Sequence, residues 1–211
     1  MHVEPVSAYP PASSRTLAQW LAPELTAEHG AESRTRLREI AEARAMRRGM
    51  WSSLLALGAS SVALGLVLLI VGVTPGGWVP CLVAGALVAV VCAAFLRRER
   101  GWIPAPGTAL ATRGVGTLGG GLIAASSLFL ASNILLMPAI MSSFDPVPLV
   151  VWDVGLALVL VSVFVIPGAI IGRGREALRR SVLTDPRLAA ELERERETWV
   201  AQISVPMFGP L

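Results

Sequence analysis

Residues 150–168 read VVWDVGLALVLVSVFVIPG, an apolar run carrying one carboxylate, Asp153, and one proline, Pro167. Its length decides the fold. About 20 apolar residues at 1.5 Å rise each cross roughly 30 Å of hydrocarbon, and three further runs of this kind precede it. Spans are therefore predicted at about 51–73, 78–96, 115–137 and 149–172. The expected fold class is all-α: a polytopic membrane protein with a four-transmembrane-helix bundle at 51–172. A helical cytoplasmic arm is expected at 1–50 and an amphipathic cytoplasmic arm at 173–211.

Composition agrees. Hydrophobic residues form 54% of the 211-residue chain and charged residues only 16%, against about a quarter in soluble domains. Mean hydropathy is +0.62. All 18 basic residues are Arg, which excludes a lysine Schiff base or a P-loop lysine. The net charge of +3 would suit nucleic acid in a soluble protein, but these arginines border apolar spans. The expected partner is the lipid bilayer and not nucleic acid.

The arginines also orient the chain. Arg34, Arg36, Arg38, Arg44, Arg47 and Arg48 precede span one; Arg97, Arg98, Arg100 and Arg113 separate spans two and three; Arg173, Arg175, Arg179 and Arg180 follow span four. The other connections, TPGG at 74–77 and AIMSSFDPVP at 139–148, carry no arginine. Arginine-rich short loops stay inside, so both termini are expected in the cytoplasm of a bacterium, with the spans in its inner membrane. The first 50 residues show no removable signal pattern, leaving span one to direct insertion.

Depth then assigns Asp153 to the outer rim. It precedes Arg173 by 20 residues, about 30 Å of helix, and a carboxylate there stays hydrated. Asn133 follows Arg113 by the same interval, so Asn133 and Asp153 are expected to form an outer-rim polar pair. Pro167 is expected to free a carbonyl one turn earlier and bend the inner end of span four.

Helix packing is expected on small residues at four-residue spacing: Gly85, Ala89 and Ala93 on span two, and Gly116, Gly120 and Ala124 on span three. A weaker alternative has Gly119, Gly120 and Gly121 unwinding span three locally. GVGTLG at 114–119 spells a dinucleotide-binding pattern, but it lacks the preceding strand and following soluble helix that the chemistry requires. No cofactor site is expected. Cys81 and Cys92 lie about 16 Å apart on one helix and cannot bond to each other. The only histidines, His2 and His29, lack partners at metal-ligand spacing, so no metal site is expected. Span centres hold no Asp, Glu, Arg or His, and no catalytic triplet emerges.

The arms read as helical. Ser13 or Ser14 is a candidate cap, Pro23 an interruption, and Ser33 the cap of a helix that enters the membrane unbroken. Thr184 or Asp185 before Pro186 starts the final helix. On it Leu188, Leu192, Trp199 and Ile203 form an apolar stripe, read as a contact for the N-terminal arm or a partner subunit. VPMFGPL at 205–211 is expected to fray unless held. The function expected is a non-enzymatic accessory or scaffold subunit of a bacterial membrane complex, bound to another subunit or to copies of itself. A small oligomeric transporter or channel for a neutral solute is the alternative.

Overall fold

The computed structural model describes residues 10–28, 35–98, 101–106, 116–141, 146–200 and 207–211. It is all-helical, with no strand element among the described residues. A 3-10 turn at Ala12–Ser14 leads to α1 (Leu17–Leu21) and α2 (Pro23–Glu28). α3 (Arg36–Ile70) follows, then α4 (Pro75–Arg98) and α5 (Leu118–Met141). The fourth apolar helix comprises α6 (Pro146–Leu160), a π segment (Val161–Val165) and α7 (Ile166–Ile171). α8 (Gly174–Thr184) and α9 (Pro186–Thr198) complete the order.

Four of these helices are long and apolar enough to cross a bilayer: Arg36–Ile70, Pro75–Arg98, Leu118–Leu135 and Val150–Ile171. α3 enters its apolar stretch without a break from the polar arm, as expected. The triple glycine of span three does not unwind it, because α5 is helical throughout.

Local chemistry sets the short helices. Thr16, rather than Ser13 or Ser14, caps α1: its hydroxyl accepts from Gln19 N, and the Gln19 side chain returns a bond to Thr16 N. The serines stand one turn too early and belong to the 3-10 turn. Pro23 separates α1 from α2 as expected. α3 takes its cap from Thr35, whose Oγ1 accepts from Arg38 N at 3.3 Å; Ser33 lies outside the described residues. Asp185 caps α9 through bonds from Arg187 N and Leu188 N, with Pro186 at the first helical position.

The chain divides into two compact units. The first joins residues 1–45, 101–111 and 173–211, so the two arms form one body together with the loop after α4. Its core holds Leu17, Trp20, Leu21, Leu37, Ile40, Leu178, Leu188, Leu192, Phe208 and Leu211. The second unit holds residues 46–100 and 112–172. Here apolar side chains stand outward instead: Leu87 is 62% exposed, Ile123 70% and Leu135 75%.

Leu188 and Leu192 are wholly buried in the first unit's own core and Trp199 packs against it, so of the two contacts expected for the stripe these residues make the one with the N-terminal arm. Ile203 lies outside the described residues. Residues 207–211 are not frayed but fully buried, because the start of α3 has N–H groups to satisfy and these residues supply the carbonyls.

Candidate functional site

Two places gather the polar chemistry of the described chain, one in each unit. In the first unit the centre is Arg36, whose side chain is 1% exposed. Its Nε donates to Glu195 Oε1 of α9 at 2.7 Å and its Nη1 to Glu39 Oε2 at 2.9 Å. Nη2 donates to the carbonyl of Pro104 in the loop after α4. The guanidinium also faces the Trp199 ring at 6.0 Å. A buried cation is tolerable only with such a complete set of acceptors. One residue thus ties together three segments distant in sequence.

Beside it, residues 207–211 close the start of α3. Arg36 N donates to Met207 O and Leu37 N to Phe208 O, each at 2.9 Å. Thr35 Oγ1 donates to Pro210 O at 2.7 Å, and Leu211 N donates to Trp20 O at 3.1 Å. Gly209 is required here, since a Cβ on it would stand 2.5 Å from the Trp20 indole. Trp20 in turn donates its Nε1 to Ala12 O at 2.9 Å. Arg38 is buried nearby, and that burial, followed by the like charge of Arg175, lowers its pKa against the opposing pull of Glu42. Arg196 donates to Glu193 Oε1 at 2.8 Å, and that bond raises the Arg196 pKa.

In the second unit, α3 presents two faces of small residues. Gly58, Ser61 and Gly65 turn toward α4. A Cβ on Gly85 would stand 2.7 Å from the Gly58 carbonyl oxygen, and one on Gly58 would meet Ala89 N at 2.9 Å. The Ser61 hydroxyl donates to Cys81 O across this seam at 3.0 Å. Gly85 and Ala89 thus lie in close backbone approach to Gly58; Ala93 is half-buried farther along.

The other face of α3, Gly49, Ser53 and Ser60, turns toward the fourth apolar helix. A Cβ on Gly49 would lie 3.5 Å from Pro167 Cα. In the π segment Ile166 N bonds to Val161 O, five residues back. In that register Pro167, which has no N–H, leaves the Ser162 carbonyl unpaired. The Ser53 hydroxyl donates to that carbonyl instead. Ser162 Oγ, 2% exposed as a residue, donates to Leu158 O at 2.7 Å and stands 3.4 Å from Ser60 Oγ. The freed carbonyl expected from Pro167 is thus real, and its partner is a hydroxyl on another span.

Span three departs from the expected face. Its close approach is at Gly121, where a Cβ would stand 2.5 Å from Phe164 O, with Ala125 buried one turn on. A Cβ on Gly116 would meet nothing within 4 Å, and Gly120 and Ala124 are half-buried. One residue of offset turns a helix by about 100°, which moves the contact off the expected stripe. The register that sets Gly121 beside Phe164 brings Asn133 level with Asp153. The Asn133 amide nevertheless donates to Phe129 O of its own helix at 3.0 Å, and no hydrogen bond joins the two among the described residues.

Gly58, Ser53, Arg36, Trp20 and residues 207–211 escaped the sequence reading. Gly58 and Gly65, seven apart with Ser61 between, were a legible signal; nothing in the spacing of Arg36 or 207–211 announces their meeting. Cys81 and Cys92 are free thiols, Cys92 buried. Among the described residues no group of three His, Cys, Asp or Glu side chains is placed to hold a metal ion. No family model matches the chain, and neither does any curated protein or solved structure.

Proposed function

We propose that this chain is a non-enzymatic accessory or scaffold subunit of a bacterial membrane complex. Its four apolar helices form a bundle in the inner membrane, and the first unit lies on the cytoplasmic side with both termini. The observation that carries this reading is the use made of buried and half-buried hydroxyls in the second unit. Ser53, Ser61 and Ser162 each donate to a helix carbonyl, which suits a framework held together by its own polar groups. The same-side placement is supported by Arg36, which bonds the loop after α4 and α9 at once. Segments sharing one core share one side of a membrane, and the arginine distribution marks that side as the inner one.

A partner subunit would meet charge rather than the apolar stripe. The exposed face of α9 carries Arg187, Glu191 and Arg194, while Leu188 and Leu192 are buried. Affinity purification in mild detergent tests the proposal. Recovery in a fixed ratio with a larger membrane protein is expected, and reversing the charges of Arg187, Glu191 and Arg194 should weaken it while leaving the core intact. A homogeneous protein recovered alone that moves a neutral solute across liposomes would instead establish the transporter reading, to which the Ser53, Ser60 and Ser162 cluster lends itself.

A further inference from the structure

Where the apolar stretch of α3 begins and α4 ends, the chain carries charge that no described residue neutralises. Arg48, Arg97 and Arg98 are exposed. None of the three enters an ion pair or hydrogen bond among the described residues. Five other arginines among the described residues behave differently: Arg36, Arg179, Arg180, Arg194 and Arg196 all face glutamates. The sequence past α4 adds Glu99 and Arg100, so the RRER run stays basic.

The contacts between the two helices bring these charges together. Trp51 of α3 stacks on Phe95 of α4 with ring centroids 4.5 Å apart and planes 3° from parallel. Ser61 against Cys81 and Gly58 against Gly85 continue the same antiparallel register. Three residues inward from the stack, about 4.5 Å along each axis, that register sets Arg48 opposite Arg98, with Arg97 beside it. Two guanidinium groups on neighbouring helices at one level repel each other unless an anion lies between them. Phe95 is 37% exposed, so the aromatic pair forms a partly open rim where the apolar surface of the spans ends.

We propose that this end of the α3–α4 pair is a binding site for an anionic phospholipid. The phosphate of the headgroup takes the forked donors of Arg48 and Arg98, with Arg97 adding charge. The glycerol region rests against the Trp51–Phe95 stack, and the acyl chains lie along the exposed Leu87, Val90 and Val91. This site stands whether or not a partner subunit exists.

Native mass spectrometry of the purified full chain, titrated with dioleoyl phosphatidylglycerol and separately with dioleoyl phosphatidylcholine, tests it. Phosphatidylglycerol is expected to bind in discrete steps at concentrations where phosphatidylcholine does not. A juxtamembrane arginine near an anionic surface is worth about fivefold in binding, so R48Q/R97Q/R98Q should lose roughly a hundredfold in phosphatidylglycerol affinity. R48K/R97K/R98K keeps the charge and the insertion signal, and should retain most of the preference while losing the bidentate contacts. Equal binding of the two lipids by the native chain would overturn the proposal, as would undiminished preference in a folded glutamine variant. Displacement of the lipid by millimolar inorganic phosphate would mark a free-anion site and would also overturn it.

Discussion

In one unit Trp20, Leu37, Ile40, Leu188 and Leu192 are at most 1% exposed and charged side chains such as Arg187 and Glu191 face outward. In the other, Ile70 is 82% exposed and the residues drawn inward are Gly58, Gly85, Gly121 and Ser162. The same chain therefore places its large apolar side chains on opposite sides of its surface. In water, withdrawing such side chains is the main stabilising force. In lipid the surroundings are as apolar as leucine, so that force vanishes between helices and close backbone approach with interhelical hydroxyl bonds replaces it.

If the units obey different rules, they should respond differently to substitution. Trp20→Ala removes a buried indole with its bond to Ala12 and should destabilise the first unit by about 3–5 kcal/mol. Hydrogen exchange in detergent should show residues 10–28 and 186–198 losing protection while α4 and α5 keep theirs. Loss throughout would break the comparison. Arg36→Met should cost a further distinct sum of about 3–5 kcal/mol, since it leaves the Glu195 carboxylate and the Pro104 carbonyl without their donor. Adding Glu195→Leu should recover part of that cost in a denaturant titration; a purely additive double variant would mean the pair is not coupled.

The second unit should instead be sensitive to added volume. Gly85→Val forces a side chain against the Gly58 carbonyl and should cost about 1–3 kcal/mol. Gly119→Val, where nothing lies within 4 Å of a Cβ, should stay within about 0.5 kcal/mol of the native chain. Thermal unfolding in one detergent compares them directly, and equal effects would deny that the glycine seam holds α3 to α4. Ser53→Ala strips the Ser162 carbonyl of its partner and should cost about 0.6 and at most roughly 1.7 kcal/mol by the same measurement. The smallest effect concerns Asn133 and Asp153: a double-mutant cycle with alanine should show coupling below about 0.5 kcal/mol, because the Asn133 amide already serves Phe129 O.

What was legible follows from what each signal reports. Hydropathy reports which segments are long and apolar enough to leave water, and it gave the four apolar helices; the missing N–H of Pro167 gave the freed carbonyl. Neither reports which way a lipid-exposed helix turns, because every face of such a helix is apolar. Hence Gly121 carries the contact where Gly116 and Gly120 were expected. The stripe of Leu188 and Leu192 was legible as a face to be covered by the N-terminal arm or a partner, but spacing could not choose between them, because Trp20, Leu37 and Phe208, which share its core, lie far away in sequence. Residues 207–211 look like a loose end by composition, and only the vacant N–H groups at the start of α3 explain why they are held.

The bond from Thr35 to Pro210 spans 175 positions of sequence, with all four apolar helices between its ends. A ribosome adding about 5–20 residues each second needs roughly 9–35 s to pass from one to the other. For that interval Arg36 and Leu37 have their N–H groups, and Trp20 its carbonyl, waiting for acceptors and donors not yet made. The segment around Thr35 is thus made well before its cover, and their closure records that every intervening span has been synthesised.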